Sequence, residues 1–139
     1  MQVKDIMTPN PVCISEGASL KDAHLLMQSR GVRHLPVVGE QDGHYKGILT
    51  HKKMISTVVS LLNKYGQGAL ERKERQYLVS ELMDKDAQRL SDDEPLAVVV
   101  DYFIENKLGC LPVVDGEQKV QGIVTSSDFV KLCKTLLSK

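Results

Sequence analysis

This chain has no excess of charge of either sign, no long apolar run and no close pairing of metal-binding residues, and each gap removes a class of function. Its 18 basic and 18 acidic residues cancel, so no global basic field draws it to nucleic acid or to an anionic membrane. No apolar stretch approaches the roughly 18 residues of a membrane-spanning helix. The opening Met-Gln-Val-Lys-Asp lacks the apolar heart of a signal peptide. A cytoplasmic protein with no nucleic-acid and no membrane partner is therefore expected. Cysteine is sparse: Cys13, Cys110 and Cys133 stand far apart in apolar strings and read as buried, reduced thiols acting as small hydrophobes. The four histidines, His24, His34, His44 and His51, form no short-spaced ligand pairs with them of the kind zinc requires, so no metal site is expected. No nucleophile with a nearby base emerges from the spacing, which argues against an enzyme.

What the chain does have is a repeat. Leu-Pro-Val-Val occurs at Leu35 to Val38 and again at Leu111 to Val114. A shift of 76 residues superposes these runs and also places Val3 on Val79, Met7 on Met83, Ser15 on Ser91 and Leu20 on Leu96. Past the second run one residue has been lost from a turn, and Gly47-Ile48-Leu49-Thr50 then falls on Gly122-Ile123-Val124-Thr125. Each copy has about 60 residues, too few to bury more than a marginal core alone, so the copies are expected to depend on each other.

Both copies have the same predicted order of elements. A short extended stretch (Val12 to Ile14; Gln88 to Leu90) leads into a helix with apolar residues at helical spacing, Leu20, Ala23 and Met27 in one copy and Leu96, Val99, Val100 and Phe103 in the other. Ser19 is placed to cap the first of these helices and Pro95 suits the first turn of the second. The Leu-Pro-Val-Val runs read as strands that proline confines to an end or an edge. Turns at Asp42-Gly43 and Asp115-Gly116 lead to a second strand, and the two strands form a hairpin. A last helix runs from near Thr50 past Leu61, and its counterpart from near Thr125 past Leu136. The predicted fold is α+β, two pseudo-symmetric units of strand, helix, strand, strand, helix: unit one over 1–62, a linker over 63–78 and unit two over 79–139. The mixed charges Glu71-Arg72-Lys73-Glu74-Arg75 mark the linker as solvated or as an exposed helix.

The strings Val-Lys-Asp-Ile-Met-Thr, Arg-His-Leu-Pro-Val-Val and Gly-Ile-Leu-Thr, followed by a degenerate second copy, resemble the CBS domain. Two such units in tandem look like a CBS pair, or Bateman module. The likeness extends to stand-alone pairs of the acetoin-utilisation type, through Gly-Cys-Leu-Pro-Val-Val and Ser-Asp-Phe-Val. This resemblance implies two units packed through their sheets, with clefts for an adenosine-containing ligand such as AMP, ADP, ATP or S-adenosylmethionine. It also implies a homodimer, a regulated protein partner and no required cofactor. The alternative is a structural, dimerisation or protein-interaction module with a vestigial cleft.

In nucleotide-binding members a glycine, a hydrophobic residue, any residue, Thr or Ser and, three residues later, Asp hold ribose and phosphate. Unit two matches in full, Gly122-Ile123-Val124-Thr125-Ser126-Ser127-Asp128. The resemblance assigns Asp128 to the ribose hydroxyls, a task suited to an acceptor-only carboxylate, and Thr125 to ribose or phosphate. The same spacing is also that of a helix capping box, and one hydroxyl can do both. Unit one has Lys53 at the acid position, mildly unfavourable in a first helical turn by a few tenths of a kcal/mol. Either this is drift at a solvated site, or Lys53 and His51 face an anion. Before Leu-Pro-Val-Val the asymmetry reverses, with Arg33-His34 in unit one and Gly109-Cys110 in unit two. Family members use basic residues there for phosphates, while the plainer reading has Arg33 and His34 as surface residues flanking a strand. Together the departures predict one working composite cleft. Its adenine wall would be Ile123, Leu111 and Pro112, with Ala87 and Arg89 near the edge, and phosphates nearby would protonate His34 near neutral pH.

Overall fold

The structure, a computed structural model, describes residues 1–105 and 109–138. In chain order its elements are β1 (Thr8–Pro9), β2 (Ile14–Ser15), α1 (Leu20–Arg30), β3 (His34–Val38), β4 (Tyr45–Thr50), α2 (His51–Tyr65), α3 (Leu70–Gln76), α4 (Val79–Leu82), α5 (Leu96–Glu105), β5 (Cys110–Val114), β6 (Val120–Thr125) and α6 (Ser126–Leu137). The strands make two three-stranded sheets, β2-β3-β4 and β1-β6-β5. This is the expected mixed α/β architecture of two CBS-like units. The compact units do not coincide with the sequence copies, however: one comprises Val12–Lys85 and the other Met1–Pro11 with Asp86–Lys139.

In the unit over 12–85, β2 runs parallel to β3 and β3 antiparallel to β4. Ser19 caps α1 as its position suggests: its Oγ accepts the Asp22 N–H at 3.1 Å while the Asp22 carboxylate accepts the Ser19 N–H at 3.0 Å. These reciprocal bonds satisfy two donors that a helix start otherwise leaves unpaired. The apolar stripe Leu20, Ala23 and Met27 packs against Leu35, Val37, Leu49 and Met54, all almost fully buried. The chain beyond α3 returns to this core. Val79 N–H bonds to Ala18 O at 2.7 Å, and Asp84 exchanges two backbone bonds with Ile48 at 2.8 and 2.9 Å.

The other unit is built in the same way, with the opening segment of the chain as the returning piece. Thr8 pairs with Ile123 and Pro9 with Gly122 on β6, and Val3 N–H bonds to Glu94 O at 3.0 Å ahead of α5. Each copy's Val-x-x-x-Met opening thus packs on the glycine strand of the other copy. Glycine makes this possible. A Cβ on Gly47 would lie 2.7 Å from Asp84 O, and one on Gly122 would lie 2.8 Å from Thr8 O, both inside van der Waals contact.

Pro112 lies in β5, the end strand of its sheet as expected, but Pro36 is not confined to an edge. Pro36 sits in β3, the middle strand, opposite Ile48. The reason is visible at its counterpart Pro112, whose carbonyl accepts Leu90 N–H at 2.9 Å while Leu90 O takes Val114 N–H at 2.9 Å. The parallel pairing runs from the proline carbonyl toward the following valines, so the missing proline N–H falls where pairing stops.

Candidate functional site

In the unit containing β5 and β6, hairpin register determines which predicted residues meet. Cys110 pairs with Thr125, Leu111 with Val124 and Pro112 with Ile123. Side chains alternate along a strand, so Cys110, Pro112, Ile123 and Thr125 share one face. Leu111 lies on the opposite face with Val124, both fully buried, and is not brought together with Pro112 and Ile123. Ala87 is buried. Arg89 is exposed, with its guanidinium hydrogen-bonded to the Gln118 side chain. Asp128 is 7% exposed, because it stands in the first turn of α6 and folds back over the helix start. Its Oδ2 accepts the Thr125 N–H at 2.8 Å and the Thr125 hydroxyl at 3.3 Å. These bonds both use Oδ2, leaving Oδ1 without a hydrogen bond among the described residues.

The strand and helix start in the unit over 12–85 are the same element with different chemistry. His34 pairs with Thr50 in register, as Cys110 does with Thr125. Thr50 Oγ1 accepts the Lys53 N–H at 3.1 Å, so α2 keeps the hydroxyl half of a cap and lacks the acid half. Lys53 itself is exposed. Arg33 is exposed too, and its carbonyl accepts the His51 N–H at 2.8 Å. His34, half-buried, has its pKa lowered below the ordinary 6.5, first by burial and then by the Arg33 charge. In the unliganded chain this opposes the protonation expected of it. At the counterpart of Arg33, Gly109 takes a left-handed backbone conformation with φ 74°, which a side-chain-bearing residue adopts only at a cost. Unit two therefore lacks more than a cation there, since its backbone disfavours one.

Two features escaped the sequence reading. Glu74, in a run that looks solvated, is 3% exposed, with its Oε2 3.9 Å from His24 Nδ1 and 4.0 Å from Lys21 Nζ. Among the thiols only Cys110 is fully buried, while Cys13 is half-buried and Cys133 exposed. The apolar neighbours of Cys133 in sequence do not cover it, since α6 turns that side to solvent. The Cys110 pKa is pushed up to about 12, first by burial and then by the charge of Asp128, so this thiol lies within electrostatic reach of the carboxylate.

The CBS domain family model matches residues 3–60 and 79–134. The chain belongs to the CBS domain family. It is a tandem CBS pair, similar to a Vibrio cholerae protein described as acetoin utilization protein AcuB, at 28% identity and TM-score 0.83, covering 99% of this chain and 95% of that one. A similar CBS pair, that of protein MJ0100, is solved in complex with 5-methylthioadenosine and S-adenosyl-L-methionine, at 27% identity, TM-score 0.77 and 97% coverage of each chain. Another, CBSX2, is solved in complex with AMP, at 26% identity, TM-score 0.78 and 97% coverage of each. Among curated sequences, an uncharacterized protein of Methanocaldococcus jannaschii is 30% identical over 131 residues, which are 93% of this CBS pair and 46% of the relative. The chain thus spans less than half of that relative's length.

Proposed function

We propose that this CBS pair is a non-catalytic regulatory module that senses one adenosine-containing ligand, AMP, ADP, ATP or S-adenosylmethionine. Asp128 takes the ribose hydroxyls, Thr125 the ribose or phosphate, and Arg33 with His34 the phosphates. Pro112 and Ile123 face the adenine, with Leu111 behind them and Ala87 and Arg89 at the edge. The observation that carries this reading is the Asp128 carboxylate: one oxygen is fixed by the start of α6 and the other has no hydrogen bond among the described residues. A carboxylate held in this way is a preorganised acceptor. Support also comes from similar CBS pairs solved with AMP and with S-adenosyl-L-methionine. Lys53 in unit one and the left-handed Gly109 in unit two argue for a single working cleft.

In this reading the module acts in the cytoplasm as a homodimer, and a protein partner reads the shift of population that ligand produces by binding two states with different affinity. Thermal unfolding with and without each nucleotide tests it, because a ligand specific for the native state raises Tm by mass action. Calorimetry should then find one site per chain, lost in Asp128→Ala. No Tm rise with any of the four ligands would leave the interaction module with a vestigial cleft as the better account. Two equal sites would overturn the single-cleft reading.

A further inference from the structure

The unit over 12–85 contains a pocket of about 470 Å³ between the end of α1 and the start of α2. Its size is that of a small-molecule site. His24, Gln28, Arg33 and His51 line it, over a floor of Met27 and Met54, which are buried at 3% and 1% exposure. No carboxylate is among the lining residues. The side chains of Gln28, Arg33 and His51 make no hydrogen bond or ion pair with any described residue, so their donors remain available. His24 Nδ1 is sealed from solvent 3.9 Å from the buried Glu74 Oε2, with no hydrogen bond to either atom. The positive end of the dipole of the 15-residue α2 points to the same place. Imidazoles, an amide and a guanidinium fork converging on one cavity all supply donors, and the fork matches the geometry of a phosphate. A metal fits poorly, since no group of three His, Cys, Asp or Glu residues among the described ones is arranged to hold an ion.

We propose that this pocket binds a small phosphorylated compound, with its phosphate on His24, Gln28, Arg33 and His51 and its apolar part on Met27 and Met54. The site is additional to the adenosine cleft: His24, Gln28 and His51 have no part there, and Arg33 is the one shared side chain. Inorganic phosphate is the probe. The full chain is titrated with it at constant ionic strength, with chloride as the control, and followed by NMR at the His24 and His51 rings and the Gln28 side-chain amide. Saturable shifts confined to these groups are expected, weakened about fivefold in each of Gln28→Ala and His51→Ala, as for loss of one hydrogen bond. Both substitutions are at partly or fully exposed helical positions and leave the core intact. Shifts that do not saturate, that chloride reproduces, or that survive both pocket variants overturn the proposal. Shifts centred on the His34 ring rather than on His24, His51 and Gln28 would place the phosphate in the adenosine cleft and also refute a separate site. A nucleotide-dependent rise in Tm without saturable phosphate binding would overturn this inference alone.

Discussion

Replacing Gly47 with alanine tests whether the returning segment over 79–85 supports the unit over 12–85. The new Cβ would lie 2.7 Å from Asp84 O and 3.0 Å from Met83 Sδ, so the backbone at residue 84 must retreat by roughly 0.7 Å to reach ordinary contact. That retreat strains the two Ile48–Asp84 backbone bonds, 2.8 and 2.9 Å long, each worth about 1 kcal/mol net. Overpacking itself costs about 1–3 kcal/mol. The expected loss is about 2–4 kcal/mol, or a Tm fall of roughly 6–14 °C for a chain of this size. Gly122→Ala should behave alike, because its Cβ would meet Thr8 O at 2.8 Å. Gly116→Ala is the control, with no atom within 4 Å of its Cβ, and should be neutral or stabilise by a few tenths of a kcal/mol. Urea unfolding with the m-value monitored is the assay. A second variant identifies the cause: adding Met83→Ala to Gly47→Ala should not restore stability, because the obstacle is a backbone oxygen. If Gly47→Ala unfolds within about 0.5 kcal/mol of the unmodified chain, the close approach at Asp84 does not support the fold as argued.

Thiol labelling at pH 8 should modify Cys133 at once, Cys13 slowly and Cys110 only on unfolding, in keeping with their exposure and with the raised pKa values of Cys13 and Cys110; prompt loss of all three thiols would contradict the burial of Cys110. His34 should titrate by NMR below 6.5, and Arg33→Ala should raise its midpoint. Because the folded state disfavours protonated His34, its contribution to stability is complete above about pH 6.5 and declines as pH falls below it; a midpoint above 6.5 in the unliganded chain would refute this. Asp128→Asn should keep the cap, since the amide oxygen can still accept the Thr125 N–H, yet lose nucleotide binding, since an NH₂ faces the ribose where an oxygen was; Asp128→Ala should lose both, with a stability cost of about 0.5–2 kcal/mol. Equal nucleotide affinity in Asn and unmodified chains would remove Asp128 from the ribose role.

What was legible in the sequence is what local chemistry decides. Ser19 and Asp22 sit three apart at a helix start, and nothing distant competes for them, so the cap follows from spacing. The Leu-Pro-Val-Val and Gly-Ile-Leu-Thr runs read as hairpins because the valines and the turn residues between them act over a few positions. The exchange of the two openings was not legible: Met7 lies on Gly122 and Met83 on Gly47 through contacts between distant parts of the chain, which periodicity cannot encode. The glycines carried a trace of it, since a conserved-length strand with one residue lacking a side chain in each copy marks a close approach. Glu74 was hidden for a different reason. Its neighbours Glu71, Arg72 and Arg75 are exposed, and only the facing of α3 against α1 separates it from them. The position of Leu111 was recoverable, because strict alternation already puts it opposite to Pro112.

The two helix starts show how a duplicated element can change its capping chemistry and keep its fold. α2 keeps only the hydroxyl half of a cap, Thr50 Oγ1 accepting the Lys53 N–H, whereas α6 has the reciprocal capping box of Thr125 and Asp128; the hydroxyl half alone still satisfies a donor at the start of α2. A cap is therefore redundant by one group, and the acid can be lost from α2 with little more than a weak dipole penalty. In the proposed ribose role there would be no such redundancy, since no hydroxyl or lysine replaces a charged carboxylate oxygen. Selection for folding alone would let the acid drift in both copies. It remains at Asp128, 93% shielded and beside a thiol whose ionisation its charge opposes. The cap engages Oδ2, while Oδ1 has no hydrogen bond among the described residues and is not sealed from solvent. In the proposed function the second oxygen is the acceptor left for the ribose, and the Asp128→Asn comparison tests it.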